Sequence, residues 1–182
     1  YRPHSAKAVL PALLYFHGGG WSAGDLDTHD HLCRHLAFAG DVVVIAVDYR
    51  LAPEHPFPAP LADCAAAWHW ARASAAALGI DAGRIAVGGD SAGGNLAAVV
   101  CQAQKAAGLP LPSFQLLIYP ATDNRTESES RRTLGDGYFL TTALMKWFFD
   151  HYAPEGVDRT DPRVSPLFAK DFAGLPPALV IT

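Results

Sequence analysis

The chain has 182 residues, half of them hydrophobic, with 18% charged residues and a net charge of −4. That suffices for one substantial core, so residues 1–182 are expected to form one domain. It holds no Lys/Arg run of the kind a nucleic-acid groove or anionic membrane surface requires, which argues against both as partners, so no nucleic-acid partner is expected.

Val9 to Phe16 reads as a mostly apolar strand, ended by Gly18, Gly19 and Gly20. Asp27 to Ala39 has helical spacing, with Leu32, His35, Leu36 and Ala39 on one face. Val42 to Asp48 is a β-branched strand, apolar on both sides as in a covered parallel sheet. It is strand-sized and too short to span a bilayer, so no membrane span is expected. Pro53, Pro56, Pro58 and Pro60 then make a stiff loop.

Leu61 to Leu78 places Leu61, Cys64, Ala65, Trp68, Ala71, Ala75 and Leu78 on one helical stripe closed by Gly79. Arg84 to Gly88 is a short strand, Ser91 to Ala107 a helix ended by Gly108 and Pro110, and Phe114 to Tyr119 a strand stopped by Pro120. Between Ala121 and Pro154 the pattern changes to an insert, with an aromatic-faced helix over Tyr138 to Tyr152. Ala178 to Ile181 begins a last strand. The alternation predicts a mostly parallel central sheet with helices on both faces, with ligands beyond the carboxyl ends of the strands.

Two motifs fall at such ends. Gly89-Asp90-Ser91-Ala92-Gly93 has the form of a nucleophile elbow, in which small flanking residues let strand and helix approach while a strained serine presents its hydroxyl. The alternative is a tight turn without chemistry. His17-Gly18-Gly19-Gly20 is the more specific signal, with a chance occurrence on the order of one in a thousand at average composition. Its backbone can turn N–H groups toward a substrate oxygen, so Gly18 and Gly19, with Ala92, are the expected oxyanion donors. A phosphate cradle is disfavoured: no P-loop lysine follows, and the spacing is not Gly-x-Gly-x-x-Gly.

His17-Gly18-Gly19-Gly20-Trp21, Asp48-Tyr49-Arg50-Leu51-Ala52-Pro53-Glu54 and Gly89-Asp90-Ser91-Ala92-Gly93-Gly94-Asn95 together resemble the hormone-sensitive-lipase-like esterases, the bacterial family IV carboxylesterases of the α/β-hydrolase fold. Tyr119-Pro120 and Ser165-Pro166-Leu167 also fit, so the resemblance runs almost end to end. It implies an α/β-hydrolase fold with a helical cap insert at about 121–154 over an acyl pocket. It further implies Ser91 as nucleophile, Gly18, Gly19 and Ala92 as the oxyanion hole, His17 as a brace for the glycine loop, and Trp21 near the substrate, with Tyr119 a further pocket candidate. The implied reaction is hydrolysis of short to medium acyl esters through an acyl-enzyme on Ser91, with a small-molecule ester as partner and no cofactor or metal.

The triad acid and base are expected beyond Thr182, since the family carries them after the strand that begins at Ala178. These 182 residues alone are therefore expected to turn over negligibly. Asp123 is the in-chain candidate for the acid, against a turn-capping carboxylate. Asp90 points elsewhere from its place beside Ser91 and is expected to tether a loop. His31 and His35 share a helix face but lack a third metal ligand, and His4, His29 and His55 give no signal. A non-catalytic, receptor-like binder of the same fold is the rival reading, and amide hydrolysis a further one. Cys33, Cys64 and Cys101 show no disulfide or zinc spacing, so buried thiols in a cytoplasmic protein are expected. An open sheet edge at the last strand predicts dimerisation or aggregation.

Overall fold

The computed structural model describes residues 1–4, 7–125 and 128–182. Strands β1 (Leu10–Phe16), β2 (Val43–Val47), β3 (Ile80–Asp90), β4 (Gln115–Ile118) and β5 (Ala178–Ile181) pair in parallel in the order β2-β1-β3-β4-β5. The helices are α1 (Asp30–Gly40), α2 (Ala59–Ala73), α3 (Ala75–Leu78), α4 (Ala92–Ala106), α5 (Glu129–Thr133) and α6 (Thr142–Tyr152).

Side chains alternate across the sheet as the pleat dictates. Leu10, Ala12, Leu14 and Phe16 of β1 enter a core shared with Leu61, Cys64 and Trp68 of α2 and Leu96 and Val100 of α4. Leu13 and Tyr15 point to the opposite face and meet Cys33 and Ala37 of α1. Helices thus cover both faces. The chain leaves β1 toward β2 on one side and returns with β3 on the other, so the strand order reverses between β1 and β3. Crevices open at such reversals in parallel sheets, and the two glycine motifs follow the two strands, β1 and β3, that flank this one.

Several elements differ from their sequence limits for local reasons. The first helix starts at Asp30 because Asp25 and Thr28 close a reciprocal turn: the Asp25 amide donates to Thr28 Oγ1 at 2.9 Å and the Thr28 amide to Asp25 Oδ1 at 2.7 Å. The alanine-rich helix begins two residues early, with Pro60 in its first turn where no amide is required, and breaks at Ser74 into α2 and α3. Strand β3 is much longer than Arg84–Gly88. Ile80 is buried opposite Leu10, and the register shifts before Ala12, where Asp81 bonds the Gly83 amide and Arg84. The aromatic helix starts at Thr142 rather than Tyr138 because Thr141 Oγ1 accepts from the Leu144 amide at 3.2 Å.

The cysteines are free and buried, and burial pushes the Cys33 thiol up to about 11 and the Cys101 thiol to about 12. Strands β2 and β5 are the two edges of this sheet, and the four residues of β5 are all exposed. Among the described residues no helix is long and apolar enough to cross a membrane.

Candidate functional site

The site begins where β3 ends. Ser91 has φ 54° and ψ −113°, a conformation costly for any residue with a Cβ. Its backbone is fixed from both sides: its amide donates to the Ile118 carbonyl at 2.9 Å, and its carbonyl accepts from the amides of Asn95 and Ala121 at 3.0 and 3.1 Å. A serine at a helix N-cap ordinarily bonds the first-turn amides. Ser91 occupies that position on α4 and makes no such side-chain bond. The hydroxyl is thus not engaged with the first-turn amides of α4, whose N-terminal dipole favours negative charge in this region.

The loop after β1 approaches from the neighbouring strand. Gly19 has φ 117° and Gly20 φ 60°, both in the left-handed region where a side chain is strained. The Gly19 carbonyl accepts from the amides of Ser22 and Ala23, which closes the loop on itself. Among the described residues the amides of Gly19, Gly20 and Ala92 meet no acceptor. The Gly18 amide differs, because it donates to the buried Asp90 Oδ1 at 3.0 Å. Of the two loop amides expected as donors, that of Gly18 is bonded to Asp90, whereas that of Gly19 meets no acceptor among the described residues.

His17 is buried, and its ring stacks on Tyr49 with centroids 4.3 Å apart and planes 11° apart. The Tyr49 hydroxyl donates to the His17 carbonyl at 2.6 Å. His17 Nδ1 lies 2.8 Å from the Gly18 carbonyl, an acceptor, so Nδ1 carries the proton. Burial pulls this imidazole below its ordinary range, with the Gly18 carbonyl opposing the shift. Farther on, the Ala52 amide donates to the Trp21 carbonyl at 2.8 Å. Tyr49 and Ala52 of the segment after β2 therefore hold the glycine loop from outside.

Sequence reasoning missed Tyr15 and His29. The Tyr15 hydroxyl donates to Asp90 Oδ1 at 2.8 Å, and His29 Nε2 lies 3.2 Å from the same oxygen. Burial first, and then the Asp90 charge, push the Tyr15 phenol far above its usual range, so it stays a donor. The one available signal was a polar-tipped Tyr15 within an apolar strand; His29 gave none.

Other candidates are placed as follows. The Trp21 ring is 1% exposed and stacks on Tyr152 of α6 at 4.3 Å and 5°. Trp21 is thus a core residue that ties the glycine loop to α6. The Phe148 ring lies against Gly20, so α6 reaches the glycine loop directly. Tyr119, at φ 33°, is 58% exposed beside the elbow. Asp123 Oδ1 accepts from the Arg125 amide at 2.8 Å, the turn-capping arrangement weighed against an acid role. Among the described residues no three His, Cys, Asp or Glu side chains converge as a metal site would require.

Comparison with known proteins agrees with this fold. A family model described as "alpha/beta hydrolase fold" matches residues 13–182. The chain is 48% identical to the carboxylic ester hydrolase LipN of Mycobacterium tuberculosis, over 99% of this chain and 49% of LipN. It is 45% identical to an ethyl acetate hydrolase of Pseudomonas putida, over 100% of this chain and 58% of the relative. The chain thus spans about half the length of these curated relatives. Among solved structures, a mutant of LAE6, an α/β-hydrolase enzyme from the metagenome of Lake Arreo, superposes with a TM-score of 0.95 at 57% identity, covering 98% of this chain and 56% of that one. A hyperthermophilic esterase from the archaeon Pyrobaculum calidifontis gives 0.89 at 46%, covering 94% and 57%.

Proposed function

The chain belongs to the α/β-hydrolase fold family, and we propose that it is the nucleophile-bearing core of a serine carboxylic ester hydrolase acting on short to medium acyl esters. One observation carries the reading. Ser91 has a strained backbone and a hydroxyl that does not cap its own helix, and it stands at the strand-order reversal beside a loop two of whose amides, Gly19 and Gly20, meet no acceptor among the described residues.

In this reading Ser91 Oγ attacks the ester carbonyl carbon while its proton passes to a base, and the carbonyl oxygen becomes an oxyanion. The amides of Gly19, Gly20 and Ala92 receive that charge. Donors fixed before reaction stabilise it without reorganisation, and loss of one typically costs about 3 kcal/mol of barrier. Collapse expels the alcohol, which takes up the proton, and water then hydrolyses the acyl-serine to acid and free enzyme. No step calls for a metal or organic cofactor. His17 and His29 are not assigned as the base, because one faces the Gly18 carbonyl and the other Asp90. The insert that carries α6 forms part of a cap over the acyl pocket, with Phe148 against the glycine loop.

The test uses the full-length protein with p-nitrophenyl acetate and a fluorophosphonate probe. Hydrolysis and covalent labelling at Ser91 are expected, with both lost in Ser91→Ala. Turnover that survives this substitution would refute the assignment.

A further inference from the structure

Asp90 joins the two halves of the site. Its backbone ends β3 directly before Ser91, and its side chain crosses to the glycine loop. Three groups converge on Oδ1: the Tyr15 hydroxyl at 2.8 Å, the Gly18 amide at 3.0 Å and His29 Nε2 at 3.2 Å. A carboxylate oxygen only accepts, so Nε2 must be the protonated nitrogen facing it. Gly18, which also lies 3.4 Å from Nε2, therefore donates to Asp90 and not to the imidazole.

His29 occupies the N-cap of α1 yet makes no side-chain bond to that helix. Ser, Thr, Asp or Asn would serve the cap better. Its ring turns instead toward Asp90, with Nδ1 3.0 Å from Thr28 Oγ1, whose turn with Asp25 steadies it.

We propose that Asp90 and His29 act as a positioning pair for the oxyanion loop: Asp90 holds the Gly18 amide, His29 holds Asp90, and the next two amides are thereby aimed at the carbonyl attacked by Ser91. The inference rests on the hydrolase reading above. In this role both residues act through the Gly18 amide rather than on the reacting atoms. A bond to a charged acceptor is about twice as strong as a neutral one, and here it fixes a loop whose glycines resist rotation little. Because the residue before the nucleophile makes this bond, one side chain sets the spacing between hydroxyl and donors. A misplacement on the order of 1 Å costs about a hundredfold in rate.

The experiment has two arms on the full-length protein. In p-nitrophenyl acetate kinetics, His29→Ala and Asp90→Asn are expected to lower kcat by about ten- to a hundredfold with KM changed by less than about twofold. His29→Gln, whose amide nitrogen can reach the place of Nε2, should recover most of the loss. In the second arm the assigned Gly18 amide proton is followed by NMR. It is expected downfield and slow to exchange in the parent, and upfield and faster in His29→Ala and Asp90→Asn. Unchanged kcat in both variants, a rise in KM alone, or a loss that His29→Gln does not recover would overturn the proposal. If the parent hydrolyses no ester, the hydrolase reading fails, and an unmoved Gly18 resonance would separately refute the pair.

Discussion

A Cβ on Gly93 would fall on the carbonyl oxygen of Phe16, so the first turn of α4 meets the end of β1 backbone to backbone. The elbow and the glycine loop are adjacent for this reason. A methyl group on Gly93 would collide with main-chain atoms of Phe16 and His17, which cannot rotate away as a side chain could. Gly93→Ala is therefore expected to destabilise the fold by about 3 kcal/mol or more, read from the urea midpoint. Gly83→Ala is the control. Its nearest foreign atom would lie 3.4 Å away, and a shift under about 1 kcal/mol is expected. Equal effects at both positions would contradict the close approach.

The strain at Ser91 gives a second prediction. Its φ of 54° is unfavourable because of Cβ, not because of the hydroxyl. Ser91→Ala keeps Cβ and should leave stability nearly unchanged. Ser91→Gly removes it and is expected to stabilise the protein by about 1 kcal/mol while abolishing the proposed hydrolysis. Denaturation curves in which the glycine variant is the less stable would show that the hydroxyl, rather than the backbone, governs this position.

Much of this architecture was legible because it follows from local chemistry. The two-residue alternation in Leu10 to Phe16 sorts that strand between two cores, and the glycines around Ser91 can be read as a turn without any partner in view. What the sequence hid depends on side chains meeting across the fold. Nothing near Gly18 indicates that its amide is occupied, because the acceptor, Asp90, arrives from a strand far along the chain. His29 looked like a loop histidine for the same reason. Trp21 follows the glycine loop directly, and nothing beside it in the chain indicates that its ring stacks on Tyr152 of a distant helix.

The buried His17 makes stability depend on pH. Its imidazole is held below the ordinary value of 6.5, so between the two values the unfolded chain binds a proton that the folded chain does not. Stability from this source is full above about pH 6.5 and is lost as pH falls toward the lower folded value. His17→Asn, which cannot take up that proton, is expected to be less stable at pH 8 but to show a shallower decline from pH 7 to 5 in urea titrations. Parallel declines would mean that other groups control the acid limb.

The stack of Trp21 on Tyr152 separates ring packing from hydroxyl chemistry at a single residue. Tyr152 is fully buried, and among the described residues its hydroxyl has no hydrogen-bond partner. Burial also pushes that phenol far up, so it remains a neutral hydroxyl within apolar surroundings. Removing the hydroxyl alone relieves an unmet desolvation cost, so Tyr152→Phe should be neutral or stabilising by up to about 1 kcal/mol. Removing the ring takes away the face on which Trp21 lies, along with the edge contact to Phe57 at 6.0 Å. Tyr152→Ala should therefore cost about 3–5 kcal/mol and loosen α6 from the glycine loop. Hydrogen exchange along residues 142–152 would report that loosening directly. A Tyr152→Phe variant destabilised by more than about 1 kcal/mol would instead place an ordered water or another acceptor on the hydroxyl, and the α6 anchor would then be partly polar.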